Sequence, residues 1–303
     1  MRTASAAGCL GSPQREWDSI DVTRRSAARL LVLVDGDGLL YRAAHAIPYA
    51  TNANGLPTNG LYGFAAMLWN LRKNLEPSHM AVAFTADPPL KKHALDPDYK
   101  INHYEHPEEI KRQIPYALRF VRALGVQAFL ESGYEADDVL ATLLQHAGRL
   151  PVRIVSSDRD FYQHVSDRVW VLRPVRGVSE MQTVDLAGVQ AAFGVAPAQV
   201  PDLRALVGDP SDDIPGVRGI GPKTAAALLK RHRSVEALLE HLDESGMTSR
   251  LGPMRDRILL NKRLSLPLTV PLAPRPDLTV QPPRSKPLRD LAAETGVSTF
   301  APR

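Results

Sequence analysis

Short apolar runs punctuate the first two thirds of the chain, unbroken at residues 30–34 and 80–84 and interrupted once each, by Gln127 and Arg153, at 126–130 and 152–155. Runs of that length, bounded by turn residues, predict strands buried on both faces of a parallel sheet. Shorter runs at 169–172 and 183–184 predict later strands. Between the runs a different rhythm takes over. Phe64, Ala65, Leu68, Leu71 and Leu75 recur at helical spacing as far as Pro77. Ile110, Ile114, Ala117, Leu118, Val121 and Leu124 do the same as far as Gly125, with a kink expected at Pro115. Val139, Leu140, Leu143 and Leu144 give a third helical face, with Gly148 as its expected C-terminal cap. Strands alternating with helices predict an α/β fold, an open and mostly parallel sheet flanked by helices.

Past residue 185 the strand rhythm stops. Short helices are predicted at 186–193, 202–207, 224–230, 235–242 and 254–260, a smaller helical region. Pro267, Pro271, Pro274, Pro276, Pro282 and Pro283 then predict an irregular, partly disordered tail over 266–303. Residues 1–29 are rich in Ala, Ser and Arg and lack the apolar stretch of a signal peptide, which predicts a disordered leader. Residues 87–108 mix prolines with Lys91, Lys92, His93, Tyr99, Lys100, His103 and Tyr104, and read as a mobile surface segment.

Composition narrows the class without naming it. In 303 residues, 44% hydrophobic and 23% charged positions suit a folded globular chain. No apolar run reaches the ~18–20 residues that span a bilayer. The single cysteine, Cys9, excludes an internal disulfide and fits a reducing compartment, so a cytoplasmic location is expected. Lys and Arg total 37 against 33 acids, a formal charge of +4. That excess gains meaning only because the acids are concentrated.

Four acidic groups stand out. Asp35 ends the first strand; Glu135, Asp137 and Asp138 open a helix; Asp158 and Asp160 follow another strand; Asp209, Asp212 and Asp213 precede a Gly-rich turn. Any one group is explained by helix capping, since a helix N-terminus favours negative charge. Four groups, three of them aimed at the carboxyl edge of one sheet where functional residues gather, are not. Two divalent cations ~3.5–4 Å apart would neutralise such a pocket and support phosphodiester hydrolysis. All-oxygen ligands favour Mg²⁺ or Mn²⁺, and no His or Cys pattern competes for zinc. In GVRGIGPKTAAALL, Gly216, Gly219 and Gly221 predict a tight turn with exposed N–H groups leading into the helix of Lys223 and Thr224, a cradle for backbone phosphates.

The motifs VDGDGLLYRAAHA, YEADDVLA, SSDRDFYQ and GDPSDDIPGVRGIGPKTA together resemble the 5′-nuclease superfamily, the flap endonucleases and the 5′→3′ exonuclease domain of bacterial DNA polymerase I, over about 30–272. The resemblance implies a PIN-like α/β domain at 30–184 with a helical arch near 87–124, then a helix–hairpin–helix region at 185–265. It implies that Asp35, Glu135 and Asp137 serve one metal, that Asp158, Asp160 and Asp212 serve a second, and that Asp138 and Asp209 support them. Lys100 and Lys92 fall where the family holds the scissile phosphate. Gly216, Arg218, Gly219, Ile220, Gly221, Lys223 and Thr224 fall on its DNA-binding hairpin. The implied activity is that of a stand-alone, structure-specific 5′→3′ exonuclease and 5′-flap endonuclease of bacterial replication and repair, nucleoid-associated and monomeric. It would use two Mg²⁺ or Mn²⁺ ions and act on DNA flaps, nicks or junctions and on RNA primers. Two departures stand against it: Thr85 replaces an acid at the end of the second strand, with Asp87 the expected substitute, and His103 replaces an arginine. A junction-binding protein weakened in catalysis by Thr85, and a PIN-type ribonuclease, are the competing readings.

Overall fold

A computed structural model of the chain describes residues 29–88, 90–102, 107–176, 180–272 and 276–301, without the side chains of 244–245. The expected leader, Arg29 apart, lies outside the described residues, as do His103 and Tyr104.

The apolar runs become strands. β1 (Leu31–Asp35) is buried throughout, because both of its faces are covered. Leu31 and Leu33 join one hydrophobic core, and Val32 and Val34 join the other. β2 (His79–Phe84) pairs parallel with one side of β1, Leu33 opposite Ala81, and extends to β3 (Gln127–Leu130). β4 (Val152–Val155) pairs parallel with the other side, Leu33 opposite Ile154. β5 (Val169–Arg176) continues that side, and β6 (Glu180–Val184) closes it as an antiparallel edge. The six strands run in the order β3-β2-β1-β4-β5-β6. Strand order reverses at β1, so the carboxyl ends of β1 and β4 bound the crevice where such sheets place their sites.

α1 (Gly36–Ala46), α2 (Asn59–Leu75) and α3 (Ile114–Ala123) cover one face through Leu40, Phe64, Leu68 and Phe120. Pro115 sits in the first turn of α3, where a missing N–H costs nothing. The expected kink is therefore a helix start, preceded by a separate short turn at Glu108–Lys111. α4 (Ala136–Gln145) covers the opposite face with Val139, Leu140 and Leu143. Its C-cap is His146 rather than Gly148, which lies two residues further on.

α5 (Leu186–Phe193), α6 (Val200–Val207), α7 (Pro222–His232), α8 (Val235–Glu240) and α9 (Arg255–Ser265) form the helical region. Leu203, Leu206, Leu229, Leu238 and Ile258 belong to the same buried cluster as Val139 and Leu143, so the helices pack onto the sheet layer as one core.

Two expectations are corrected. The tail is ordered over 276–301. Thr279 bridges His79 antiparallel, α10 (Ser285–Thr295) packs against α3, and Phe300 is buried with its ring stacked 4.8 Å from that of Phe120. The prolines fall largely before Ser285, and the apolar spacing of Leu288, Leu291 and Phe300 fills the face over Phe120 and Trp69. Likewise, 87–108 is only partly at the surface over its described residues: Asp87, Lys91 and Ile101 are exposed, whereas Lys92 and Tyr99 are 2% and 1% exposed.

Candidate metal centre and nucleic-acid interface

Asp35 closes β1 and caps α1. Its Oδ1 accepts from Gly38 N–H at 2.9 Å and its Oδ2 from the Ser156 hydroxyl, just past β4, at 2.7 Å. Burial and the neighbouring charge of Asp37 push its pKa up to about 6, against the pull of those two hydrogen bonds.

Across the crevice stands Glu135, the N-cap of α4 and almost wholly buried. Burial alone would raise its pKa, but two ammonium groups reverse the sign and hold it at about 2. Lys92 Nζ lies 3.0 Å from Oε2, and Lys100 Nζ contacts Oε1 directly. The Lys100 ammonium also lies 3.3 Å from Asp212 Oδ1. Tyr99 places its hydroxyl between Glu135, at 3.0 Å, and Asp212, at 3.3 Å. The foot of 91–102 is thus folded into the acidic pocket as its internal counter-charge. Three clips hold it there: Lys100 N–H to Asp212 O at 3.0 Å, Asn102 N–H to Asp213 Oδ2 at 2.9 Å, and an Arg257–Asp96 ion pair at 2.6 Å.

The described acids that stand close enough to share a cation form two groups, Glu135 with Asp137 and Asp138, and Asp160 with Asp209 and Asp212; within each, one ligand atom per residue lies within 4.8 Å of the others. Three of the six accept backbone N–H groups, Asp137 among them from Asp138 N–H at 2.8 Å. Asp138 accepts from Glu135 N–H at 3.1 Å and Leu268 N–H at 2.6 Å, and Asp209 accepts from Ser211 N–H at 3.0 Å. Asp35 and Asp158 fall outside both groups, but each repels Asp137 electrostatically, so they border the pocket. Asp158 is exposed and accepts from Asp160 N–H at 2.8 Å.

Arg204, on α6, divides its guanidinium between Asp160 Oδ1 at 2.9 Å and Asp209 Oδ2 at 2.8 Å. Even so, burial and the charge of Asp158 raise Asp160 to about 7, while burial raises Asp212 to about 6 against Lys100. The candidate ligand atoms of both groups are carboxylate oxygens, and the fold already draws two ammonium groups and a guanidinium toward them. Those are the features of a site built for a hard divalent cation.

Arg204, Tyr99, Ser156 and Asp37 were not among the sequence candidates. Asp37 and Tyr99 had a local signal, lying two residues from Asp35 and next to Lys100. Arg204 lies five residues before Asp209 but pairs with the distant Asp160 only through the fold.

The Gly-rich hairpin lies between α6 and α7. Ile220 is buried as its anchor, while Arg218, Gly219, Gly221 and Lys223 are exposed and Thr224 is half-buried. Gly221 is the N-cap of α7, and no side chain occupies that cap. Gly219 has φ of 79°, which a side chain would strain, and the exposed Arg250 reaches its carbonyl at 3.4 Å. Gly216 is required for a different reason than exposure: a Cβ there would lie 2.0 Å from Val207 O, so it packs against the end of α6.

Two family models match the chain in succession: the 5′-3′ exonuclease N-terminal resolvase-like domain over 30–194 and the 5′-3′ exonuclease C-terminal SAM fold over 195–285. DNA polymerase I of Bacillus subtilis is 37% identical over 244 residues, which are 79% of this chain and 28% of the polymerase. The chain thus spans under a third of that relative. The 5′-3′ exonuclease of Aquifex aeolicus is 37% identical over 218 residues, 71% of this chain and 74% of that protein. Among solved structures, the bacteriophage T5 flap endonuclease in a pseudo-enzyme–product complex with DNA and metal ions superposes with a TM-score of 0.64 at 21% identity, covering 90% of this chain and 95% of that one. With both halves of the fold matched in order, and with most of a dedicated exonuclease covered, the chain belongs to the 5′-3′ exonuclease family.

Proposed function

We propose that the chain is a metal-dependent, structure-specific 5′→3′ exonuclease and 5′-flap endonuclease. The observation that carries this reading is the meeting of Asp35, Glu135, Asp137, Asp158, Asp160 and Asp212, from separate segments, around two lysines at one sheet edge. Asp35, Glu135 and Asp137 would hold one Mg²⁺ or Mn²⁺, and Asp158, Asp160 and Asp212 a second. Such ions supply a water of lowered pKa and charge neutralisation at the scissile phosphate.

The chain's own residues do the rest. Asp138 and Asp209 fix the backbone that carries the ligands. Lys100 and Lys92, now balancing Glu135, offer their ammonium groups to the phosphate. Arg218, Lys223 and the N–H groups entering α7 grip the duplex backbone without reading bases. DNA with 5′ flaps, nicks or junctions, and primer RNA, are the substrates this arrangement fits, for a monomer working in bacterial replication and repair.

A 5′-labelled flap substrate with Mg²⁺ or Mn²⁺ tests the reading. The expected result is release of short 5′ products, with Lys100→Ala slowing cleavage about a hundredfold or more, the scale of losing one charged transition-state contact. Flap binding without cleavage at any metal concentration would instead support the junction-binding reading, which Thr85 favours because its hydroxyl is committed to Ala136 N–H at 3.1 Å. No helix among the described residues is long and apolar enough to cross a membrane.

A further inference from the structure

Along the carboxyl edge of the sheet, β1 ends on Asp35, β3 leads to Glu135 and β4 leads to Asp158. β2 lies between β1 and β3, and the residue that follows it, Thr85, is neutral. Its hydroxyl is occupied, accepting from Ala136 N–H at the start of α4. Asp87, two residues on, is exposed.

The gap is filled from the adjoining helix. Asp37, in the first turn of α1, brings Oδ2 to 2.6 Å from Thr85 N–H and is 9% exposed. This approach depends on Gly36. A Cβ there would lie 2.7 Å from the Phe84 ring and 2.8 Å from Ala83 O, so only glycine lets the chain cross so closely over the end of β2. Asp35 and Asp37 therefore share one helical turn but serve two strand ends: Asp35 is bonded toward β4 through Ser156, and Asp37 toward β2 through Thr85.

We propose that Asp37 supplies, from the β1–α1 junction, the negative charge for the first metal position that the end of β2 lacks at Thr85. The proposal rests on reading the pocket as a metal centre. Asp37 is a positioning residue here, acting on the ion through its charge while its hydrogen bond holds the strand end.

The test separates charge from hydrogen bonding. Asn keeps an acceptor for Thr85 N–H and loses the charge. Binding of Mn²⁺ to the full chain is followed by electron paramagnetic resonance for wild type, Asp37→Asn, Thr85→Asp and the double variant, with thermal melts in chelator to show that each folds. Asp37→Asn is expected to weaken the tighter Mn²⁺ about tenfold, as loss of one nearby unit charge implies. The double variant is expected to recover to within about threefold of wild type, as a charge moved across one site should. Thr85→Asp alone, with Asp37 still present, is expected to change affinity by no more than about threefold.

The proposal is overturned by an Asp37→Asn affinity equal to wild type, by a double variant as weak as Asp37→Asn, or by a large gain from Thr85→Asp alone. A wild-type chain that binds no Mn²⁺ would overturn the metal centre itself, and is read separately from the variants.

Discussion

At the scale of single residues, the pocket stores repulsion. Asp35, Asp160 and Asp212 have pKa values raised to about 6, 7 and 6, chiefly by burial. Each binds its proton more tightly in the folded chain than in the unfolded one, where a carboxyl titrates near ~3.9. Stability is thus lost as pH rises from that value through about 6–7, the opposite sense to an ordinary ion-paired acid. Without metal, the protein is expected to melt at a lower temperature at pH 7.5 than at pH 5. Added Mg²⁺ or Mn²⁺ should raise the melting temperature more at pH 7.5, and Asp160→Asn should flatten the difference. Circular dichroism melts at the two pH values check this; a metal-free protein more stable at pH 7.5 would contradict it. The acids themselves were legible from sequence, since they cluster after apolar runs. Their counter-charges were only half legible. Lys92 and Lys100 lie in a recognisable motif, whereas Arg204 meets Asp160 only through the docking of α6, which no local pattern encodes.

At the scale of elements, the hairpin and its neighbour work together. The exposed Arg250 leans on Gly219 beside the uncapped start of α7, which concentrates positive charge where a phosphate would sit. Arg250→Ala is expected to weaken flap DNA binding uniformly across sequences and to lower the slope of log affinity against log salt by about 1. Fluorescence anisotropy from low to moderate salt measures it, and an unchanged slope would remove Arg250 from the interface. Strands β1 and β2 were plain in the sequence because central parallel strands, covered on both faces, leave unbroken apolar runs, and β4 departs from that pattern only at Arg153. α1 was not, since it opens on Gly36-Asp37-Gly38, residues that elsewhere signal a turn. α10 was hidden behind prolines that run up to it and into its first turn, at Pro287.

At the scale of the molecule, the last segment secures the first. Thr279 pairs with His79, Trp69 donates to Thr299 O at 3.1 Å, and Phe300 stacks on Phe120. Removing that ring opens a cavity in a core shared by α2, α3 and α10. Phe300→Ala is expected to cost about 3–5 kcal/mol in urea denaturation. Flap cleavage should survive in the fraction that stays folded, because the acidic pocket lies at the sheet edge, away from this face. A loss below 1 kcal/mol would mean that the segment merely rests on the surface. The same closure has a consequence during synthesis. The apolar face around Phe120 and Trp69 stays uncovered while everything between α3 and Phe300 is translated, on the order of ten seconds or more at ordinary elongation rates. A nascent chain of this design spends that interval as a client for chaperones that bind exposed apolar surface.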